Sequence, residues 1–335
     1  MLVDCCAGAT RLFFMGGSGS LSKTGYAGLV LLAASLFGGV SSLLKLAYAA
    51  GFNAADVTNA QFLIAALLLW PMAWVWPRGE SLTVRQWGLL GLLGLASAGT
   101  SVAYYKALTL LPASMGIVLL FQFAWMVLVL DIVIHRRLPG MGKWAGMALI
   151  VAGTVLAVGL LGQPLGQYPW WAIGLGLLAG FSYAVTLYAS AYVNPSSSPV
   201  LRAAVTVTVG GGITLFFFSP TLYTSGVLWH GLWVWGLLTA VFSQVLPQIL
   251  LFVAIPRVGG RMAGVLGAVE LPVAVVLAWL ILGEQVSFLR WLGVLLVLAG
   301  MGVSEWPFLS RRRKTTPGVS DVGKHSLPVH RPWES

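Results

Sequence analysis

The chain has 335 residues, of which 58% are hydrophobic and 8% are charged, with a formal net charge of +10; ordinary soluble domains carry about 25% charged residues, so no soluble core could hide this much apolar surface and lipid must be the solvent. A basic excess of this size would point to nucleic acid in a soluble protein, but here the bases sit at the ends of apolar runs and in one tail, which is the positive-inside pattern and leaves nucleic acid without a role. Cys5 and Cys6 are the only cysteines and are adjacent, so they offer neither a disulfide framework nor a spaced thiolate set for a metal, and no cofactor is expected.

Residues 1–24 read as a short cytoplasmic segment, because Leu12-Phe13-Phe14 is too brief an apolar stretch for a signal peptide, and Met15 offers an alternative start. The apolar runs, bounded by Pro, Gly and charge, predict helices near 26–50, 57–76, 86–108, 113–134, 143–162, 170–192, 200–219, 231–254, 262–282 and 290–309. The expected fold class is therefore an all-α integral membrane protein with ten transmembrane helices. From Arg311 the apolar pattern stops, and 310–335 reads as a disordered basic cytoplasmic tail whose bases touch anionic lipid.

With both termini cytoplasmic in a bacterial-type inner membrane, the inside segments hold sixteen of the nineteen bases, the outside ones only Arg290, and Lys45 and Lys106 fall within helices. Missing one helix would invert every later loop and scatter these bases over both sides, so the count also supports ten spans. Trp74, Trp76, Trp87, Trp144, Trp170, Trp171, Trp229, Trp291 and Trp306 fall near predicted helix ends, where an indole anchors at the headgroup layer.

Shifting the chain against itself by 147 residues sets Lys143-Trp144-Ala145-Gly146 on Arg290-Trp291-Leu292-Gly293 and Ala152-Gly153 on Ala299-Gly300. A shift of 146 sets Gly28-Leu29 on Gly174-Leu175. Two five-helix halves follow, 25–162 and 170–309, and because five is odd the second half enters the membrane from the opposite side. The basic turn His135-Arg136-Arg137 and its acidic counterpart Gly283-Glu284-Gln285 agree with that inversion. Inverted repeats are a signature of secondary transporters that expose a midplane site alternately to either side.

Glu270-Leu271-Pro272-Val273, Gly283-Glu284, Trp291-Leu292-Gly293 and Leu298-Ala299-Gly300, together with the five-plus-five plan over residues 25 to 309, resemble the EamA-type family of the drug/metabolite transporter superfamily. The resemblance implies transport of amino acids, metabolites or drugs, often outward. The first half departs from the pattern, with Gln122-Phe123-Ala124-Trp125 in place of Glu270-Leu271-Pro272 and its neighbours.

Ionisable residues inside a membrane are costly unless they face a cavity or a partner. Glu270, near the centre of the ninth predicted helix and two residues before Pro272, is the leading candidate. It could exchange a proton near neutral pH and couple transport to the proton gradient, or it could make a structural hydrogen bond between helices. Lys45 and Lys106 lie about 10 Å from mid-span at 1.5 Å per residue; each could hold a substrate carboxylate or snorkel to the outer headgroups. Asp131, one turn from His135 and Arg136, reads as an ion-pair partner and is left out of the site. Gln244 and Gln248 share one face beside Pro247, and Gln122 could play the matching part from the fourth helix. Tyr104, Tyr105, Phe121, Trp125 and Tyr183 could give aromatic surface to a mostly apolar substrate, or pack against lipid.

The expected partners are a small-molecule substrate and membrane lipids, with a homodimer left open. The apolar Gly174-to-Ala179 match to a dinucleotide fingerprint lies inside a helix and is discarded. No H-E-x-x-H or G-x-S-x-G motif occurs, and His135, His230, His325 and His330 fall in loops or tail, so an enzyme is not expected. A membrane receptor or scaffold without transport is the alternative, and a channel would need a continuous polar path that these sparse charges do not supply.

Overall fold

A computed structural model describes residues 22–76, 81–136, 140–158, 168–190, 192–193, 197–217, 226–258, 263 and 266–313. Most of the N-terminal segment, the tail beyond Arg313, Arg78, Arg137, Arg261 and the side chains of Asp131 and His135 lie outside what is described. The described residues are helical: α1 Lys23–Ala49, α2 Ala54–Val75, α3 Val84–Leu108, α4 Ala113–Leu120, α5 Phe123–His135, α6 Met141–Val158, α7 Trp170–Ser190, α8 Pro199–Phe217, α9 Trp233–Thr239, α10 Leu246–Val258, α11 Glu270–Leu282 and α12 Phe288–Arg313. Wider π turns at Leu228–Leu232 and Ala240–Val245 flank α9; the first is kinked at His230–Gly231, where Gly231 takes a φ of 105°, and the helix then runs from Leu232 to Val258.

Each of the ten apolar runs carries helix. Seven segments are long and apolar enough to cross a membrane, and Met141–Leu156, Glu270–Leu282 and Phe288–Val303 are shorter apolar helices. Their outer surface is what lipid requires: Trp170 is 84% exposed, Phe216 87% and Trp229 81%, with Leu67, Val133 and Leu280 also outside. A soluble monomer could not hold so many large apolar groups in water.

Small residues set the helix spacing, as in other membrane bundles, where lipid gives no hydrophobic drive for helix association. A Cβ placed on Gly153 of α6 would lie 2.7 Å from the Gly293 carbonyl oxygen and 2.8 Å from the Val297 nitrogen of α12. A Cβ on Gly300 would lie 2.7 Å from the Gly146 carbonyl oxygen and 2.9 Å from the Ile150 nitrogen. Residue numbers rise on one helix as they fall on the other, so α6 and α12 pack antiparallel. The 147-residue shift exchanges the two sets of contacts, giving a local two-fold relation.

Two helices are interrupted at matching places. The expected fourth helix is broken by a turn at Phe121–Gln122, separating α4 from α5, and the expected ninth by a turn at Ala268–Val269, just before α11. The same 147-residue shift maps one turn onto the other. In the second half Pro272 falls in the first turn of α11, where its missing N–H costs nothing. Each break is approached by a glycine: a Cβ on Gly38 of α1 would meet the Glu270 carbonyl oxygen at 2.8 Å, and one on Gly180 of α7 the Leu120 carbonyl oxygen at 2.9 Å.

Candidate functional site

Between the two breaks lies a cavity of about 150 Å³, roomy enough for several waters or a small organic molecule. One face of α3 supplies Ser97, Thr100, Ser101 and Tyr104, and one face of α7 supplies Tyr183, Thr186, Leu187 and Ser190. Both sets follow the i, i+3, i+4, i+7 spacing of a helix stripe. Phe37 and Val40 come from α1, Thr206 from α8, Ser243 and Gln244 from the second π turn, Gln248, Leu251, Phe252 and Ile255 from α10, and Glu270 from α11.

The π turn has a local cause. Pro247 lacks the N–H that would reach the carbonyl of Ser243, and the extra residue at Ala240–Val245 absorbs the mismatch. Ser243 donates to the Thr239 carbonyl at 2.8 Å, and Gln248 Nε2 donates to Gln244 Oε1 at 2.6 Å, so the two amides share one wall. The hydroxyls of Thr100 and Thr186 donate to the carbonyls of Ala96 and Ser182, each at 3.0 Å, and leave lone pairs for the cavity.

Glu270 is 7% exposed and opens α11, so its carboxylate belongs to the first turn, next to the break at Ala268–Val269. Tyr104 and Tyr183 line the same cavity. The buried Tyr104 hydroxyl faces the Ser41 hydroxyl of α1, and among the described residues the Ser42 hydroxyl on α1 and the Asn59 amide on α2 have no hydrogen-bond partner. Buried polar groups left unpaired cost free energy, so this region is suited to a polar ligand or to ordered water.

Of the residues singled out in the sequence, Glu270, Tyr104, Tyr105, Tyr183, Gln244 and Gln248 come together on this cavity, and Lys45, Lys106, Gln122 and Trp125 do not. Gln122 is buried at the first break, where Nε2 donates to the Val118 carbonyl at 3.0 Å and to Thr154 Oγ1, and Oε1 accepts from Trp125 Nε1 at 3.0 Å. Lys106 is exposed in the last turn of α3. Lys45 is half-buried on α1. Glu284 caps α4, accepting from the Ala113 N–H at 2.6 Å, the Ser114 N–H at 3.1 Å and the Ser114 hydroxyl at 2.6 Å.

Tyr105 also lines the cavity; its hydroxyl donates to Gln61 Oε1, and its carbonyl accepts from the Tyr48 hydroxyl at 2.9 Å. The sequence reading missed Ser97, Thr100, Ser101, Thr186, Thr206 and Ser243. Hydroxyls recurring at three- and four-residue spacing within apolar helices were the signal that could have found them.

The chain matches the model of the EamA-like transporter family twice, over residues 24–159 and 170–304. It is 26% identical over 285 residues to the threonine/homoserine exporter RhtA of Escherichia coli K12, covering 82% of this chain and 89% of the relative. The exporter of the same name from Salmonella typhimurium LT2 is 26% identical over 209 residues, 62% of this chain and 67% of its own. A solved crystal structure shares the fold with a TM-score of 0.59 at 15% identity, covering 84% of this chain and 99% of its own. The chain is a multi-pass membrane transporter and belongs to the EamA-like transporter family of the drug/metabolite transporter superfamily.

Proposed function

We propose that this chain exports a small organic molecule across the bacterial inner membrane by alternating access. Ten spans form two inverted five-helix repeats that rock about the central cavity, with both termini in the cytoplasm. The observation that carries the reading is the cavity itself: a mostly apolar chamber between two matching helix breaks, with the Glu270 carboxylate in its wall. Discontinuous helices beside a midplane cavity are how secondary transporters bring helix termini to a substrate.

Glu270 loads and releases a proton, or holds the cationic group of the substrate, as access switches from one side to the other. The reading is supported by the antiparallel, two-fold packing of α6 on α12 and by the relatives, which are named as exporters of threonine and homoserine. Amino acids of that size are the first substrates to try.

The test is flux into and out of proteoliposomes for a panel of amino acids, metabolites and dyes, with and without an imposed proton gradient. Saturable, gradient-sensitive movement of at least one compound is expected. Tight binding of a ligand with no flux for any compound would replace the transporter reading with that of a receptor.

A further inference from the structure

The sequence counts Arg202 among the bases of a cytoplasmic segment, yet it lies in the first turn of α8 and is only 4% exposed. Its guanidinium stands over the Phe252 ring, 4.7 Å from the centroid, and one Nη donates to the Phe252 carbonyl at a long 3.4 Å. Nε has no acceptor, and among the described residues no carboxylate pairs with the charge. A guanidinium carries five donors in a rigid fork and keeps its charge at any ordinary pH. Among the described residues it has one long hydrogen bond and no counter-charge.

Two neighbours share the deficit. Thr206, one turn further along the same face of α8, lines the cavity with a buried hydroxyl that has no partner. Gln248, one turn before Phe252 on α10, lines it with an unpaired Oε1. Phe252 is itself part of the cavity wall, and the Arg202 guanidinium lies over its ring.

We infer that Arg202 and Thr206 form an anion subsite at the α8–α10 end of the cavity, taking the carboxylate of a small organic substrate once the Phe252 ring turns aside. A guanidinium and a hydroxyl together match the two oxygens of a carboxylate. Glu270 in the same chamber repels a second anionic group and attracts an ammonium, which selects monocarboxylates and zwitterions over dicarboxylates. Gln248 then offers its free oxygen to a donor group beside the carboxylate. The inference rests on the reading of the cavity as the transport site.

The experiment titrates the full chain in nanodiscs with L-threonine, L-homoserine, propionate and L-threoninamide, which keeps the ammonium and lacks the carboxylate, and follows tryptophan fluorescence. The parent is expected to bind the three carboxylates more tightly than the amide. Arg202→Gln should weaken the carboxylates by about tenfold or more and leave the amide unchanged, with Arg202→Lys in between. Thr206→Val, which keeps the side-chain shape, should weaken the same three in the same direction and guards against misfolding of the arginine variants.

Carboxylate affinity equal to the parent in both Arg202→Gln and Thr206→Val overturns the subsite, as does a parent that binds none of the three carboxylates. Flux in the same nanodisc-derived protein, reconstituted in liposomes, separates the two claims. Arg202-dependent binding without flux sinks the transport reading and keeps the subsite; flux of the carboxylates with Arg202→Gln unchanged keeps the transporter and sinks the subsite.

Discussion

Replacing Gly153 or Gly300 by alanine tests how the two halves are held together. The added methyl meets backbone, 2.7 Å from a carbonyl oxygen in each case, and backbone cannot turn away as a side-chain tip can. Overpacking costs about 1–3 kcal/mol, and contact with rigid atoms puts these sites near the top of that range. Alanine regains about 1 kcal/mol of helix propensity over glycine, so each single variant should lose about 1–2 kcal/mol.

The two glycines serve one interface, and the separation of α6 from α12 that admits the first methyl largely admits the second. The double variant should therefore cost clearly less than the sum of the singles, a coupling expected for sites that share a shift. Denaturant unfolding in mixed micelles reads all three values against the parent. Costs that add in full, or an alanine variant as stable as the parent, would refute the close reciprocal packing.

Glu284→Ala should lower stability by about 2 kcal/mol in the same assay, because it strips charge-assisted acceptors from the N-terminus of α4; an unchanged midpoint would mean that the cap does not form in the membrane. Trp125→Phe leaves the Gln122 oxygen without its indole donor, so it should cost about 1 kcal/mol while the order of preferred substrates stays the same, and a changed order would bring Gln122 into the binding site. Lys106→Gln should leave flux and apparent affinity as they are, since the ammonium is exposed at the end of α3. A loss of flux there would return Lys106 to the transport path.

The ten apolar runs were legible because lipid leaves a chain so little freedom: every backbone polar group must be satisfied within a helix, and the bases must sort to one side. Glu270, Tyr104, Tyr183, Gln244 and Gln248 were legible for the related reason that polar groups in such helices need a cavity. The break at Ala268–Val269 was half legible, through Pro272. Its counterpart at Phe121–Gln122 was not, because no proline marks it and its close neighbour is Gly180, a residue 58 positions away in the chain.

Gln122 was read as cavity wall, but its amide meets the Val118 carbonyl, Thr154 and Trp125 instead. Nothing in the local sequence says that Thr154 will be there. Arg202 shows the opposite error, since a base at the start of a helix reads as a loop charge until Phe252 from α10 is seen to bury it. In each case the composition of a helix was readable and its neighbour across the bundle was not.

The central claim is that the Glu270 carboxylate couples the cavity to transport. Its most direct test is gradient-driven flux of the best substrate in proteoliposomes as a function of pH, comparing the parent with Glu270→Gln. The account predicts that the variant folds, loses gradient-driven flux and no longer responds to pH. A variant that transports with the parent's rate and pH profile would contradict it.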